Sequence, residues 1–212
     1  MGNTLRAIPL FTVERLSIYL RTLRESLVEG MDFISSTEIG KRNDFTAAQV
    51  RKDLSCFGNF GIKGKGYNIS ELINTLETIL GLDREWKVAI FGLGKLGGAL
   101  ASYKGLKSAR FNVVAIFDVD PKKVDKTYKN IPVYHSDMLK KVVREKKIQI
   151  AIVAVPTDSA KATIQRILDA GIEGILNFTE ARVPYPDEYI MKNVNLAGEL
   201  ESISYYLIHS DL

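Results

Sequence analysis

Residues Lys87 to Gly97 read KVAIFGLGKLG, a short apolar run that opens into Gly92-Leu93-Gly94-Lys95-Leu96-Gly97. Three glycines at this spacing, between a strand and a helix, form a seat for a dinucleotide pyrophosphate. Gly92 permits the tight turn out of the strand, Gly94 lets a phosphate approach bare backbone, and Gly97 lets the helix pack close to the sheet. That helix points unpaired N–H groups and the positive end of its dipole at the phosphates. Asp118 stands 21 residues beyond Gly97, near the spacing of about 20 at which an acid accepts hydrogen bonds from the adenosine ribose. A carboxylate there repels a 2′-phosphate, so NAD(H) is favoured over NADP(H). Asp120 reinforces that preference, and the Lys122 and Lys123 charges weaken it. All of this chemistry is recognition. For proton transfer the chain offers two histidines, His135 and His209. Strand order puts His135 on the adenine side of the sheet and His209 lies three residues from the end, so neither is placed to serve a substrate.

The elements that must hold this seat alternate. Val88 to Phe91 reads as a buried parallel strand, Leu96, Ala99, Leu100 and Tyr103 suit the helix after the loop, and Val113 to Phe117 is a second strand ending in Asp118. Further on come a short strand Ile131 to Tyr134, a helix from Ser136 to about Lys147, and a strand Ile148 to Val155. A helix capped by Asp158 and ended by Gly171 leads to a strand Gly174 to Phe178. Alternation of this kind means a parallel sheet, with ligands at the carboxyl ends of its strands. That places Ala154, Val155, Pro156, Asn177, Phe178 and Thr179 around the nicotinamide half. Residues 180–195 read as a Pro-rich loop with a short apolar stretch. The last helix carries Leu196, Leu200, Ile203 and Leu207 on one stripe; it either covers its own sheet or docks on a second subunit.

Composition narrows the class. Apolar content of 46% without low-complexity tracts describes a globular chain. The single cysteine, Cys56, cannot form an internal disulfide, which fits a reducing cytoplasm. No apolar run approaches the 18 residues of a membrane span, and the N-terminus lacks a signal-peptide pattern. A cytoplasmic protein with no membrane and no metal partner is expected. The net charge of +4 is concentrated: six basic residues against two acidic ones lie between Lys41 and Lys65, and the remainder is balanced. A local positive patch of that kind suits a polyanion.

The patch has an organisation. Thr12 can cap a helix whose positions Leu16, Tyr19, Leu20, Leu23 and Leu27 share a face, ended by Gly30. Ser35 to Glu38 and Thr46 to Gln49 are capping boxes. They open a short helix stopping near Gly40 and a second running through about Phe57, joined by a turn from Lys41 to Phe45: a helix-turn-helix. Val50, Leu54 and Phe57 mark the inner face of the second helix. Asp53 shares that helix and, since it would repel phosphate, is expected to point sideways. Arg51 can pair with guanine and Gln49 with adenine. The glycine-dense segment Gly58 to Tyr67 permits a tight hairpin with Lys63 and Lys65 at its tip. Ser70 then caps a closing helix. The residues expected to meet DNA are Lys41, Thr46, Gln49, Arg51, Lys52, Ser55, Lys63 and Lys65. Those expected to hold the nucleotide are Gly92, Leu93, Gly94, Lys95, Leu96, Gly97, Asp118, Val155 and Pro156.

The expected architecture is α/β: a winged-helix (helix-turn-helix) domain over residues 1–82, a Rossmann-type parallel-sheet domain over 86–194, and a C-terminal helix over 195–212. Other readings of these features are a helical dimerisation or substrate-binding domain in front of an NAD-dependent oxidoreductase, and a nucleotide-binding module with no DNA activity. Against the oxidoreductase, the Rossmann unit consumes nearly everything after residue 85, leaving no substrate domain.

The chain resembles the Rex family of redox-sensing transcriptional repressors. The match is carried by Ala48-Gln-Val-Arg-Lys-Asp-Leu-Ser55, Phe57-Gly58, Phe60-Gly61, Gly64, Gly66-Tyr67, the loop Gly92 to Gly97, Tyr103, Phe117-Asp-Val-Asp-Pro121 and the final helix. The resemblance implies a homodimer that binds double-stranded operator DNA, senses the NADH/NAD⁺ ratio, releases DNA when NADH binds, and is not an enzyme. It also implies that the C-terminal helix is domain-swapped, exchanged between subunits. A state-dependent network in the family corresponds here to Arg21, Tyr103 and Asn195. Asn195 departs from the usual Asp, so a charge-assisted bond to Arg21 is lost.

Overall fold

The computed structural model describes residues 8–209; the ends of the expected segments 1–82 and 195–212 that fall at 1–7 and 210–212 lie outside the described residues. The chain divides into two compact units, one ending at Arg84 and the next beginning at Glu85.

The first unit is a winged helix. Helix α1 (Leu10–Val28) buries Leu16, Tyr19, Leu20 and Leu23, at i, i+3, i+4 and i+7 on a single face. Burial of each such apolar side chain contributes about 1.5–3 kcal/mol. Two expectations fail here. Leu27 is 43% exposed, and Thr12 lies inside the helix, buried, while Pro9 occupies the cap. After strand β1 (Phe33–Ile34), helix α2 (Ser36–Arg42) begins at Ser35, whose hydroxyl accepts from Glu38 N–H at 3.0 Å. It continues past Gly40 to Arg42, because Asn43 N–H still finds the Gly40 carbonyl. Helix α3 (Ala47–Ser55) begins at Thr46, which accepts from Gln49 N–H at 3.1 Å. A side chain at Gly40 would strike the Phe45 carbonyl oxygen, so glycine lets the turn fold back against α2. Strand β2 (Tyr67–Asn68) pairs antiparallel with β1, and Ile62 bridges Gly66 to form the wing tip. Asn68, rather than Ser70, caps α4 (Ile69–Ile79) by accepting from Glu71 N–H at 3.0 Å.

The second unit is a doubly wound sheet. Its strands are β3 (Trp86–Phe91), β4 (Phe111–Asp118), β5 (Thr127–Tyr128), β6 (Ile131–His135), β7 (Ile150–Val153), β8 (Gly174–Asn177) and β9 (Ile190–Asn193). Their order is β5-β6-β4-β3-β7-β8-β9, and all but the short β5 are parallel. Winding reverses between β3 and β7, which opens a crevice beyond their carboxyl ends. Alternation within β3 fixes the layers: Ala89 and Phe91 enter one core with α7 (Leu139–Lys146) and α8 (Thr157–Asp169). Val88 and Ile90 enter the other, against α5 (Lys95–Ala101) and α6 (Lys104–Ser108). The expected helix from Ser136 begins as one 3-10 turn, Ser136–Met138. Pro156 occupies the cap position of α8, and Asp158 sits in its first turn, where a carboxylate favours the dipole. The loop expected over 180–195 contains β9, a sixth parallel strand. The final helix α9 (Leu196–His209) has no buried residue, and Leu196, Leu200 and Ile203 are all exposed. It therefore does not cover its own sheet. No helix among the described residues is long and apolar enough to cross a membrane.

Candidate nucleotide and nucleic-acid sites

The crevice at the carboxyl ends of β3, β4 and β7 holds a cavity of about 600 Å³. Gly92, Gly94, Lys95, Leu96, Asp118, Val155 and Pro156 line it, as do Ala154 and Phe178. Gly92 has φ +94°, and a side chain there would meet the Ala154 carbonyl. At Gly97 an added methyl would collide with the Gly92 carbonyl oxygen beneath the loop. Gly94 differs: nothing lies within 4 Å of where its Cβ would be. Gly92 and Gly97 are required by the fold, and Gly94 leaves room for something outside it. Gly97 and Leu93 support the wall rather than line it. Asn177 is buried, donating to the Ala181 carbonyl and Asn193, and Thr179 faces a different concavity.

Asp118 is the acid of this cavity, 9% exposed. One carboxylate oxygen accepts from Leu93 N–H at 2.7 Å and from Lys123 Nζ at 3.3 Å, the other from Asp120 N–H at 2.9 Å. Burial pushes its pKa up, but these donors outweigh burial and hold it below the ordinary aspartate value. Lys123 also reaches Asp120 at 3.7 Å, so this lysine is part of the acidic end of the cavity. In the sequence it stands only as a nearby charge. Ser136, Ser159 and Thr163 complete the polar lining and carried no sequence signal. A carboxylate with acceptor capacity to spare, an open Gly94 and apolar Val155, Pro156 and Phe178 at the far side fit a dinucleotide.

In the first unit Lys41, Lys52, Lys63 and Lys65 are exposed. Arg51 donates to Ser36 Oγ at 3.0 Å and lines, with Lys63 and Lys65, a concavity of about 500 Å³ between α3 and the wing. Thr46 is engaged as a cap, and Ser55 Oγ donates to the Lys52 carbonyl at 2.8 Å. Arg42 is neutralised by Glu29 and Glu38, each at 2.9 Å, so part of the basic window's charge is spent internally. Asp53 does not point sideways. It is 1% exposed and faces α1, where Arg15 grips it at 2.6 and 2.7 Å and the Tyr19 hydroxyl donates at 2.8 Å. Burial would raise its pKa; Arg15, Tyr19 and Gln49 together hold it below the ordinary value.

Of the three positions expected to form a switch, Arg21 and Asn195 have local side-chain partners. Arg21 pairs with Glu25 at 3.3 Å on the exposed side of α1. Asn195 accepts from Gly198 N–H at 3.1 Å at the start of α9. Tyr103 is 63% exposed and stands between α5 and α6, at the cap of the latter, instead of within the glycine-loop helix. His135 lies beside Asp118 in register at the end of β6, 3.2 Å from the Asp137 carboxylate.

A winged helix with a basic face, in one chain with a Rossmann nucleotide crevice, defines the class of DNA-binding proteins that carry a nucleotide-binding unit. Residues 7–55 match the family described as putative DNA-binding protein N-terminus, and residues 83–181 match the CoA binding domain family. The redox-sensing transcriptional repressor Rex of Syntrophobacter fumaroxidans is 41% identical over 201 residues, 94% of this chain and 96% of that protein. A crystal structure of RSP in complex with beta-NAD+ and operator DNA superposes with a TM-score of 0.90 at 36% identity, covering 96% of this chain and 94% of that one. RSP in complex with beta-NADH gives 0.88 at 35% identity, covering 96% of each. The chain belongs to the Rex family of redox-sensing transcriptional repressors, proteins that are regulators and not enzymes.

Proposed function

We propose that this chain is a cytoplasmic, homodimeric repressor that holds double-stranded operator DNA through its winged helix and releases it when the Rossmann crevice takes NADH. The observation that carries this is the pairing, in one chain, of a basic helix-turn-helix with an open crevice whose acid is set for a ribose. Relatives of the same fold bind operator DNA with NAD⁺ and also bind NADH. The functional division is 1–82 for DNA, 86–194 for nucleotide and 195–212 for exchange between subunits. The exposed apolar stripe of α9 supports the last assignment.

Residues Gly92 to Gly97 and Asp118 hold the pyrophosphate and ribose, while Val155 and Pro156 flank the nicotinamide. Bound there, the dinucleotide supplies a redox-dependent charge, since the oxidised ring is cationic and the reduced ring is neutral. Val155, Pro156 and Phe178 offer that ring an apolar wall, which disfavours stripping water from the cation. This chain's own side chains thus bias the crevice toward the reduced form, and a conformation that binds one form better is populated by it. On the DNA side Arg51, Gln49, Lys52 and Ser55 face the major groove, Lys41 and Thr46 flank it, and Lys63 and Lys65 reach phosphate from the wing. Arg21, Tyr103 and Asn195 are the switch; neutral Asn195 makes the bias weaker than a carboxylate would. Gel retardation of palindromic duplexes tests the reading: a specific complex that NADH dissolves supports it, and a complex indifferent to NADH contradicts it.

A further inference from the structure

Gln49 and Asp53 stand one turn apart on α3, and Gln49 Nε2 donates to Asp53 Oδ1 at 2.9 Å. An ionised carboxylate can only accept hydrogen bonds, so the NH₂ end of the amide must face it and Oε1 must face away. On an open surface a glutamine amide turns over freely. Here the reverse orientation would set two acceptors against each other with no proton between them. Asp53 cannot turn to relieve that clash, because Arg15 takes both of its oxygens and Tyr19 takes one of them again. Helix α1 therefore anchors the acid, and the acid anchors the amide.

We propose that Asp53 is a positioning residue for sequence reading: it locks the Gln49 amide so that its outward edge presents Oε1 and one N–H in a fixed order. The proposal rests on the reading of α3 as the DNA-contacting helix. One Nε2 hydrogen is committed to Asp53, and what remains is an acceptor beside a donor. Adenine shows the complementary pair in the major groove, an N6 donor beside the N7 acceptor. Guanine shows two acceptors there, one of which would oppose Oε1. Gln49 thus selects adenine at one position of each half-site, and Asp53 maintains that selectivity without touching a base.

The test is selection from a randomised pool of palindromic duplexes by the full chain, run in parallel with Gln49→Ala and Asp53→Asn. The wild type is expected to enrich adenine at one symmetric position. Both variants lose that preference, by roughly 5- to 150-fold against the other bases as for a bidentate base contact, and keep their preferences elsewhere. A second measurement needs no variant: the Gln49 side-chain amide in nitrogen-15 relaxation should be as rigid as the α3 backbone without DNA. A mobile Gln49 amide, or a Gln49→Ala protein weakened equally on every sequence, overturns the proposal. A wild type that selects no sequence sinks the DNA-binding reading itself, a distinguishable outcome that also removes the proposal.

Discussion

Among the described residues two carboxylates are buried, Asp53 in the winged helix and Asp118 in the Rossmann unit, and they are used in opposite ways. Both carry a pKa below the ordinary aspartate value because donors outweigh burial. Asp53 is enclosed by side chains from two helices, Arg15 and Tyr19 of α1 and Gln49 of α3. Asp118 takes two of its three donors from backbone N–H groups and faces an open cavity. A side-chain cage makes the acid a structural clamp. Backbone donors hold the acid while leaving its outer lone pairs to a ligand.

Asp53 carries the largest expected effect. Asp53→Ala leaves Arg15 and Tyr19 facing an uncompensated site and should destabilise the winged helix by about 3 kcal/mol, the lower end for breaking a buried pair, since Arg15 is partly exposed. Urea unfolding followed by circular dichroism reads the loss, with NADH binding by the second unit retained. The same clamp predicts a pH dependence. A carboxyl whose folded pKa lies below its unfolded value stabilises fully above about pH 4 and loses that contribution as pH falls through the folded value. Stability of the winged helix should therefore be level from neutral pH down to about 4 and then fall; a decline beginning near pH 6 would place the titrating group elsewhere.

Gly94→Ala separates the nucleotide site from the fold. Open space around that position predicts an unchanged melting temperature with NADH affinity reduced about tenfold or more, ~1.4 kcal/mol, measured by calorimetric titration. Gly97→Ala, which meets the Gly92 carbonyl, should disturb both. Asp118→Asn keeps the shape but loses the charge that faces Lys123 and the cavity, so NADH should bind more weakly with operator affinity untouched. The smallest effect belongs to the wing: Lys63→Ala and Lys65→Ala should each weaken all duplexes alike and lower the slope of log affinity against log salt by about one.

Spacing signals are legible in the sequence, and side-chain destinations are not. The glycine loop and the two capping boxes depend on spacing over a few residues and Asp118 on its distance from the loop, and each expected cap at Ser35 and Thr46 is made. Strands β1 and β5, two residues each, carry no periodicity, and β9 lies in a Pro-rich stretch; all three are set by the partners they pair with. Thr12 looks like a cap in isolation, yet Pro9 starts the helix earlier and Thr12 turns toward Asp53. Asp53 itself reads as a surface acid until Arg15, 38 residues earlier in the chain, is folded against it. Lys123 reads as a loose charge until the turn after β4 brings it to Asp118.

The most direct measurement is fluorescence anisotropy of a labelled operator duplex bound by the full chain, titrated with NADH and separately with NAD⁺. Release by NADH at concentrations where NAD⁺ leaves the complex intact, with the NADH response lost in Gly94→Ala, is the predicted result. Equal release by the two nucleotides, or none by either, would contradict the account.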